Sequence, residues 1–233
     1  MATEPRNFDQ SYYYHIYNCG VEKRNVFTNW YDYLRFINTA VYYLHDQNIS
    51  FVQYKNLKKE VQEAWLKLNP KGLKTLRVSI ISYCLMPNHF HFLLKLVKEN
   101  GITQFLSDLA NSYTRYFNLK YDRIGSLFQG TFKAKPIVSD ESLLEVTRYI
   151  HLNPVVSTKT NLNKILKPES YPFSSYSFWI NHSILNPKGL EVLNYQEVQD
   201  WVTYSGGRKK YQGFVESKIG REPKIGIEDL IIE

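Results

Sequence analysis

The sequence predicts an α+β fold: a four-stranded antiparallel sheet with helices on one face, followed by a mostly helical or irregular C-terminal extension. Three observations predict it. Apolar and aromatic runs with strand character recur near residues 11–18, 76–85, 89–94 and 132–138, stretches between and after them carry apolar residues at helical spacing, and Pro87-Asn88 joins two of the runs as a tight turn. At 233 residues the chain can bury a full core, either as one large domain or as a domain with an appendage.

In chain order, the first ten residues are polar and expected to be poorly ordered. Ser11 to Asn18 is a strand closed by Cys19-Gly20. A charged turn with Glu22, Lys23 and Arg24 follows, and Thr28 or Asn29 caps a helix carrying Tyr33, Phe36, Ile37, Ala40, Tyr43 and Leu44. Ile49 to Tyr54 reads as a short second strand, and Asn56 to Lys74 as a lysine-rich helical insertion around Val61, Trp65 and Leu68. After the two central strands, Ile102, Phe105, Leu106, Leu109, Tyr113, Tyr116 and Phe117 mark an amphipathic helix with Arg115 and Lys120 on its other face. Phe132 to Val138 is a strand, and Ser139 or Asp140 caps a helix through Leu143, Val146, Tyr149, Ile150 and Leu152, with Pro154 expected just past its end. The main elements run strand, helix, strand, strand, helix, strand. That is the split βαβ order of ferredoxin-like and RRM-like folds, whose open sheet face is a common platform for nucleic acid. Residues 1–156 form this unit, and residues 157–233, with the aromatic segment Tyr171 to Tyr176 and a helical stretch near Val198 and Trp201, an accessory region.

Composition narrows the function classes. Only Cys19 and Cys84 are present, which disfavours a disulfide framework and a cysteine zinc site and points to a cytoplasmic setting. No apolar stretch approaches membrane-spanning length, so no membrane role is expected. A formal charge of +7 attracts polyanions, and 19 tyrosines among basic residues suit stacking on unpaired bases, although most of the 13 phenylalanines are expected in the core.

The chemistry centres on Met86-Pro87-Asn88-His89-Phe90-His91-Phe92-Leu93-Leu94. In an extended chain His89 and His91 point one way and Phe90, Phe92 and Leu94 the other, so one face offers two imidazoles to a metal while the other enters a core. Such a pair taken alone is more often satisfied by backbone or water, and the metal reading requires a third ligand and a nucleophile elsewhere. Tyr149 and Asn153, four apart, share a helical face, and a phenol beside an amide oxygen supplies that combination. Tyrosine would attack phosphorus while a metal polarises a non-bridging phosphate oxygen. Spacing alone does not bring Tyr149 to His89 and His91.

The chain resembles the HUH single-tyrosine transposases, in particular the branch of REP-associated tyrosine transposases. The resemblance is carried by Tyr14 to Gly20, Met86 to Leu94, Gly125 to Lys133, Tyr149 to Val155 and Tyr171 to Tyr176, in the family's order over residues 11–180. It implies that His89 and His91 bind a divalent metal, Mg2+ or Mn2+, that Asn153 completes the site, and that Tyr149 is the nucleophile. It further implies a single-stranded DNA substrate with a hairpin, of the repetitive palindromic kind, cut with retention of the 5′ phosphate on tyrosine. Where relatives carry Asn-Arg-Gly this chain has Asn18-Cys19-Gly20, which removes a phosphate contact. The longer branch can work as a monomer, so a monomer is expected over a homodimer.

Other assignments compete. Tyr113 and Tyr116 are rival nucleophiles, but Phe117 and Lys120 follow them one turn later, where a ligand would be needed. His151 is a rival third ligand, yet two residues from Tyr149 it lies about 200° around the helix. His15 is either a support for the metal site or a strand residue paired with backbone, and the second is expected. A histidine-triad hydrolase would need histidine where Leu93 stands. A domesticated, non-catalytic hairpin binder is the remaining alternative. Arg24, Arg115, Lys120, Arg123, Lys133 and Lys135 are the expected nucleic-acid contacts.

Overall fold

Alternation of side chains builds the sheet. β1 (Tyr13–Cys19), β2 (Val78–Met86), β3 (His89–Leu96) and β4 (Lys133–Ile137) form one antiparallel sheet in the order β2-β3-β1-β4. The computed structural model describes residues 7–68, 75–156, 167–181, 189 and 191–219. The tight turn at Pro87-Asn88 pairs Met86 with His89 and Cys84 with His91. On the other side of β3, Tyr17 faces His91 and Cys19 faces His89. β1 ends where Gly20 donates to the Asn88 carbonyl at 2.8 Å; a Cβ there would sit 2.3 Å from the Arg24 carbonyl oxygen, which requires glycine.

Two helices cover the apolar face of the sheet. α1 (Trp30–Tyr43) starts at Asn29, whose side chain accepts from the Tyr31 and Asp32 amides. It drives Phe36 onto Phe90 and Phe92, with ring centroids 5.3 and 6.2 Å away. α4 (Gly101–Lys120) packs beside α1, with Phe105 against Phe92 and Tyr113 edge-on to Phe36. These rings are among the most deeply buried in the chain and form the centre of the core.

The segment expected as a strand at Ile49 to Tyr54 is instead helical. α2 (Phe51–Asn56) begins with a capping box in which the Ser50 hydroxyl accepts from the Gln53 amide and the Gln53 side chain accepts from the Ser50 amide. Phe51 and Tyr54 then meet Tyr42 of α1 on one side, a helical rather than an alternating arrangement. α3 (Lys59–Leu68) supplies the expected helical insertion, whose last part, residues 69–74, lies outside the described residues.

α5 (Asp140–Val156) runs across the opposite face of the sheet from α1 and α4, with the Ser139 hydroxyl accepting from the Ser142 amide at its start. Pro154, expected past its end, lies inside it. A proline there has no N–H to give the Ile150 carbonyl, so the helix forgoes that one bond two residues before its end. The C-terminal segment packs along the β2 edge. The Leu85 amide donates to the Phe173 carbonyl at 2.9 Å, the Trp179 indole donates to the Ile81 carbonyl at 2.9 Å, and Phe173 stacks on Tyr33 at 3.8 Å. α6 (Tyr176–Trp179), α7 (Tyr195–Tyr204) and α8 (Arg208–Glu216) complete the described part of the extension. Of the expected accessory region, residues 157–166, 182–188, 190 and 220–233 lie outside the described residues, as do residues 1–6 at the start. Among the described residues no helix is long and apolar enough to cross a membrane.

Candidate active site

The register sets the polar face. Because Tyr17 faces His91 across the β1–β3 ladder, His15, Tyr17, His89 and His91 all project to the face over which α5 is laid. α5 delivers Tyr149 to them. Its ring centroid lies 5.4 Å from that of His91 and 5.8 Å from that of His15, edge-on to both. One turn later Asn153 brings its Oδ1 to 3.4 Å from His89 Nε2, while its Nδ2 donates to the Tyr149 carbonyl at 3.1 Å. The four residues that sequence reasoning named, from two distant segments, are therefore neighbours.

The hydrogen bonds orient the two imidazoles. His91 Nδ1 lies 2.9 Å from His15 Nε2, and Asn88 Oδ1 lies 2.6 Å from His89 Nδ1. His91 Nε2 is left buried without a hydrogen-bond partner among the described residues. An unmet ring nitrogen in the interior is costly unless something else occupies its lone pair. Burial lowers the pKa of His89, and it lowers that of His91 well below the ordinary value, with the neighbouring His89 and His15 adding to the effect. The Asn153 amide, whose oxygen lies 3.4 Å from His89 Nε2, pulls the other way at both rings without outweighing burial. Both histidines are thus held neutral, the state in which imidazole ligates a metal.

This donor set fits a divalent cation: two neutral imidazoles, one of them with a vacant buried nitrogen, and an amide oxygen. Among the described residues no three His, Cys, Asp or Glu side chains cluster as a metal site, and the oxygen beside the two imidazoles is that of the Asn153 amide. His15, for which pairing with backbone is expected over a supporting role, has its Nε2 against His91 Nδ1, where it could hold the ring of a metal ligand in place. The β1–β3 register places it there, and no local motif announced it.

The rival residues face elsewhere. His151 is fully buried, with Nε2 at 3.0 Å from the Ser82 hydroxyl and 2.8 Å from that of Ser175, and Nδ1 at 2.8 Å from the Tyr211 hydroxyl. Burial brings its pKa down to about 3, and it ties α5 to β2 and the C-terminal segment. The Tyr113 hydroxyl donates to the Val26 carbonyl at 2.6 Å inside the core, and that of Tyr116 donates to Asp32 at 2.9 Å.

The expected basic contacts do not form one surface. Lys133 and Lys135 sit on β4 opposite Tyr17 and His15, hence on the histidine face, and the Lys133 ammonium lies 5.8 Å from the Tyr17 ring. Arg24, just past the end of β1, is held by the Val21 carbonyl and by Glu22 in its own loop. Arg115 and Lys120 belong to α4, across the sheet from the histidines, and Arg123 follows it, bonded to Asn118. Lys120 is also not a free cation, since its ammonium donates to the fully buried Asp32 carboxylate at 2.6 Å.

Residues 40–153 match the family model described as "Transposase IS200 like". The matched part opens inside α1 and closes on Asn153, so it contains His89, His91 and Tyr149 and omits β1 with His15. A solved structure similar to it, titled "Structure of the REP associates tyrosine transposase bound to a REP hairpin", is 14% identical. The similarity spans 81% of this chain and 90% of that one, with a TM-score of 0.46. No curated protein sequence matches the chain.

Proposed function

We propose that this chain cuts and rejoins single-stranded DNA beside a hairpin, with Tyr149 as the nucleophile. The observation that carries the proposal is the meeting of the Tyr149 ring with His91, whose Nε2 is buried and unmatched. In the proposed step the Tyr149 oxygen bonds to the scissile phosphorus as its phenolic proton is released, and the bond from phosphorus to the 3′ oxygen breaks. The 3′ oxygen takes up a proton and leaves as a hydroxyl, and the 5′ phosphate stays on tyrosine. Reversal of the same exchange by a 3′ hydroxyl rejoins a strand and regenerates the phenol.

His89, His91 and Asn153 would hold a Mg2+ or Mn2+ ion, and two imidazoles suit manganese better on ligand preference. A bound divalent ion would offset negative charge on the non-bridging phosphate oxygens. His15 keeps the His91 ring turned so that Nε2 faces the site. Lys133 and Lys135, on the same sheet face, contact the phosphates of the strand. The hairpin follows from the sequence resemblance, as does activity as a monomer.

The test is covalent capture. Labelled single-stranded hairpins from the protein's own genome, incubated with the full chain and Mn2+, are expected to yield a protein–DNA adduct that resists denaturation. Tight binding of the same hairpins without any adduct, under Mg2+ and Mn2+ alike, would leave the non-catalytic binder in its place.

A further inference from the structure

On the far side of the sheet from the histidines, α1, α2 and α4 enclose a cleft of about 900 Å³. Its cations are Arg35, Lys55, Arg115 and Lys120, and no carboxylate lines it. The Arg35 guanidinium lies between two rings, 4.5 Å from the centroid of Phe51 and 5.1 Å from that of Tyr116, and its Nε is buried with no hydrogen-bond partner. Burial lowers its pKa, and the groups that oppose this are the hydroxyls of Tyr116, Tyr43 and Tyr113, with no carboxylate among them. A partly buried guanidinium without a counter-charge is costly to keep unless an anion completes it.

The charge beside it is not cancelled internally. Asp32 neutralises Lys120, but among the described residues neither Lys55 nor Arg115 forms an ion pair. A second cleft of about 450 Å³ shares Arg115 and Leu119 with the first and extends along α4 to Arg123, with Asp122 as its one carboxylate among the described residues, so cations still outnumber acids along the two clefts. Together they make an elongated cationic track, a shape suited to a polyanion rather than to a single small ion.

We propose that this track binds the phosphodiester backbone of DNA flanking the cleaved strand, as a second contact separate from the catalytic face. Arg35 takes one phosphate at the bottom of the cleft, and Lys55 and Arg115 take phosphates at its rim. The contact is independent of sequence and reaches only strands long enough to pass around the sheet. It rests on DNA being the substrate and goes beyond the site that cuts it.

The experiment measures binding by fluorescence anisotropy for the full chain, with single-stranded oligonucleotides that share one central hairpin and differ in flank length. A Lys55→Glu/Arg115→Glu double variant changes two residues outside the core and leaves His89, His91, Tyr149 and Asn153 untouched. It is expected to bind the longest strand about tenfold more weakly and to lower its salt slope by about two. Affinity for the shortest strand, and adduct yield on it, should stay at wild-type values. Arg35→Met should reproduce the length-dependent loss without lowering the melting temperature; if it unfolds, the double variant carries the test. Equal affinity and slope at every length would overturn the proposal, and so would equal weakening at every length, which marks a general field rather than a track. Absence of any adduct with the wild-type chain would sink the strand-cutting reading instead, and the anisotropy comparison would still be readable.

Discussion

His15 and His91, one on each of two paired strands, meet ring to ring with Nε2 of the first 2.9 Å from Nδ1 of the second. Neutral imidazole carries one proton, so a proton on His91 Nδ1 donated to His15 leaves the buried Nε2 of His91 as a lone pair. The contact therefore couples the two tautomers: His91 can ligate through Nε2 only when its Nδ1 is the donor, and a proton on His15 Nε2 instead would leave His91 protonated at Nε2.

Replacing His15 with Phe keeps the bulk and removes the acceptor. Mn2+ affinity, measured by calorimetry on the folded chain, is expected to fall on the order of 10–100-fold, and His15→Gln should recover part of it through its amide oxygen. Equal affinity in wild type and His15→Phe would mean that His91 needs no support.

Lys120 is expected to matter for stability rather than for DNA. Lys120→Met leaves the Asp32 carboxylate, which is 0% exposed, without its cation, although Thr28, Tyr116 and Tyr121 still donate to it. A loss of roughly 1–3 kcal/mol is expected in urea unfolding. DNA affinity should change much less than it does for Arg115→Glu. The reverse ranking would restore Lys120 as a phosphate contact.

Acid should destabilise the chain in two stages. Burial holds His151 neutral, with its pKa down from 6.5 to about 3, so the unfolded chain binds the extra proton first and stability falls as pH drops through that window. The slope is about 1.4 kcal/mol per pH unit for one such group. Burial alone would raise the pKa of Asp32, but hydrogen bonds from Lys120, Thr28 and Tyr121 outweigh it and bring the value to about 2. Its contribution is complete above the ordinary carboxylate value of 3.8 and is lost as pH approaches 2. Urea midpoints from pH 7 to 3 check the first stage, whose slope His151→Gln should reduce while His89 and His91, also held neutral by burial, keep the remainder; an unaltered slope in that variant would contradict the assignment.

Most of the sheet and its apolar helices were legible because their cause is local. His89-Phe90-His91-Phe92 alternates at period two, and Tyr33, Phe36, Ile37 and Ala40 repeat at the helical period, so each pattern names its element. Ile49 to Tyr54 is rich in β-branched and aromatic residues, the composition of a strand, but it does not alternate strictly, and there the Ser50–Gln53 capping box decides for a helix. Position across the sheet was harder to read. Nothing within α5 says that it lies on the histidine face while α4 lies on the other, and the pairing of Lys120 with Asp32 spans 88 residues. The metal-site candidates emerged from a motif, whereas His15 required the β1–β3 register to be known. His151 could be set aside in advance by angle alone, and its bonds to Ser82, Ser175 and Tyr211 supply the reason it is buried.

In the proposed reaction the Tyr149 oxygen becomes joined to DNA. Digesting the adduct with protease and nuclease and sequencing the nucleotide-bearing peptide by mass spectrometry reads this directly. A phosphonucleotide is expected on Tyr149 and no adduct from Tyr149→Phe, which should still bind the hairpin. A phosphonucleotide on Tyr113, Tyr116 or any other residue, or an adduct that survives Tyr149→Phe, would contradict it.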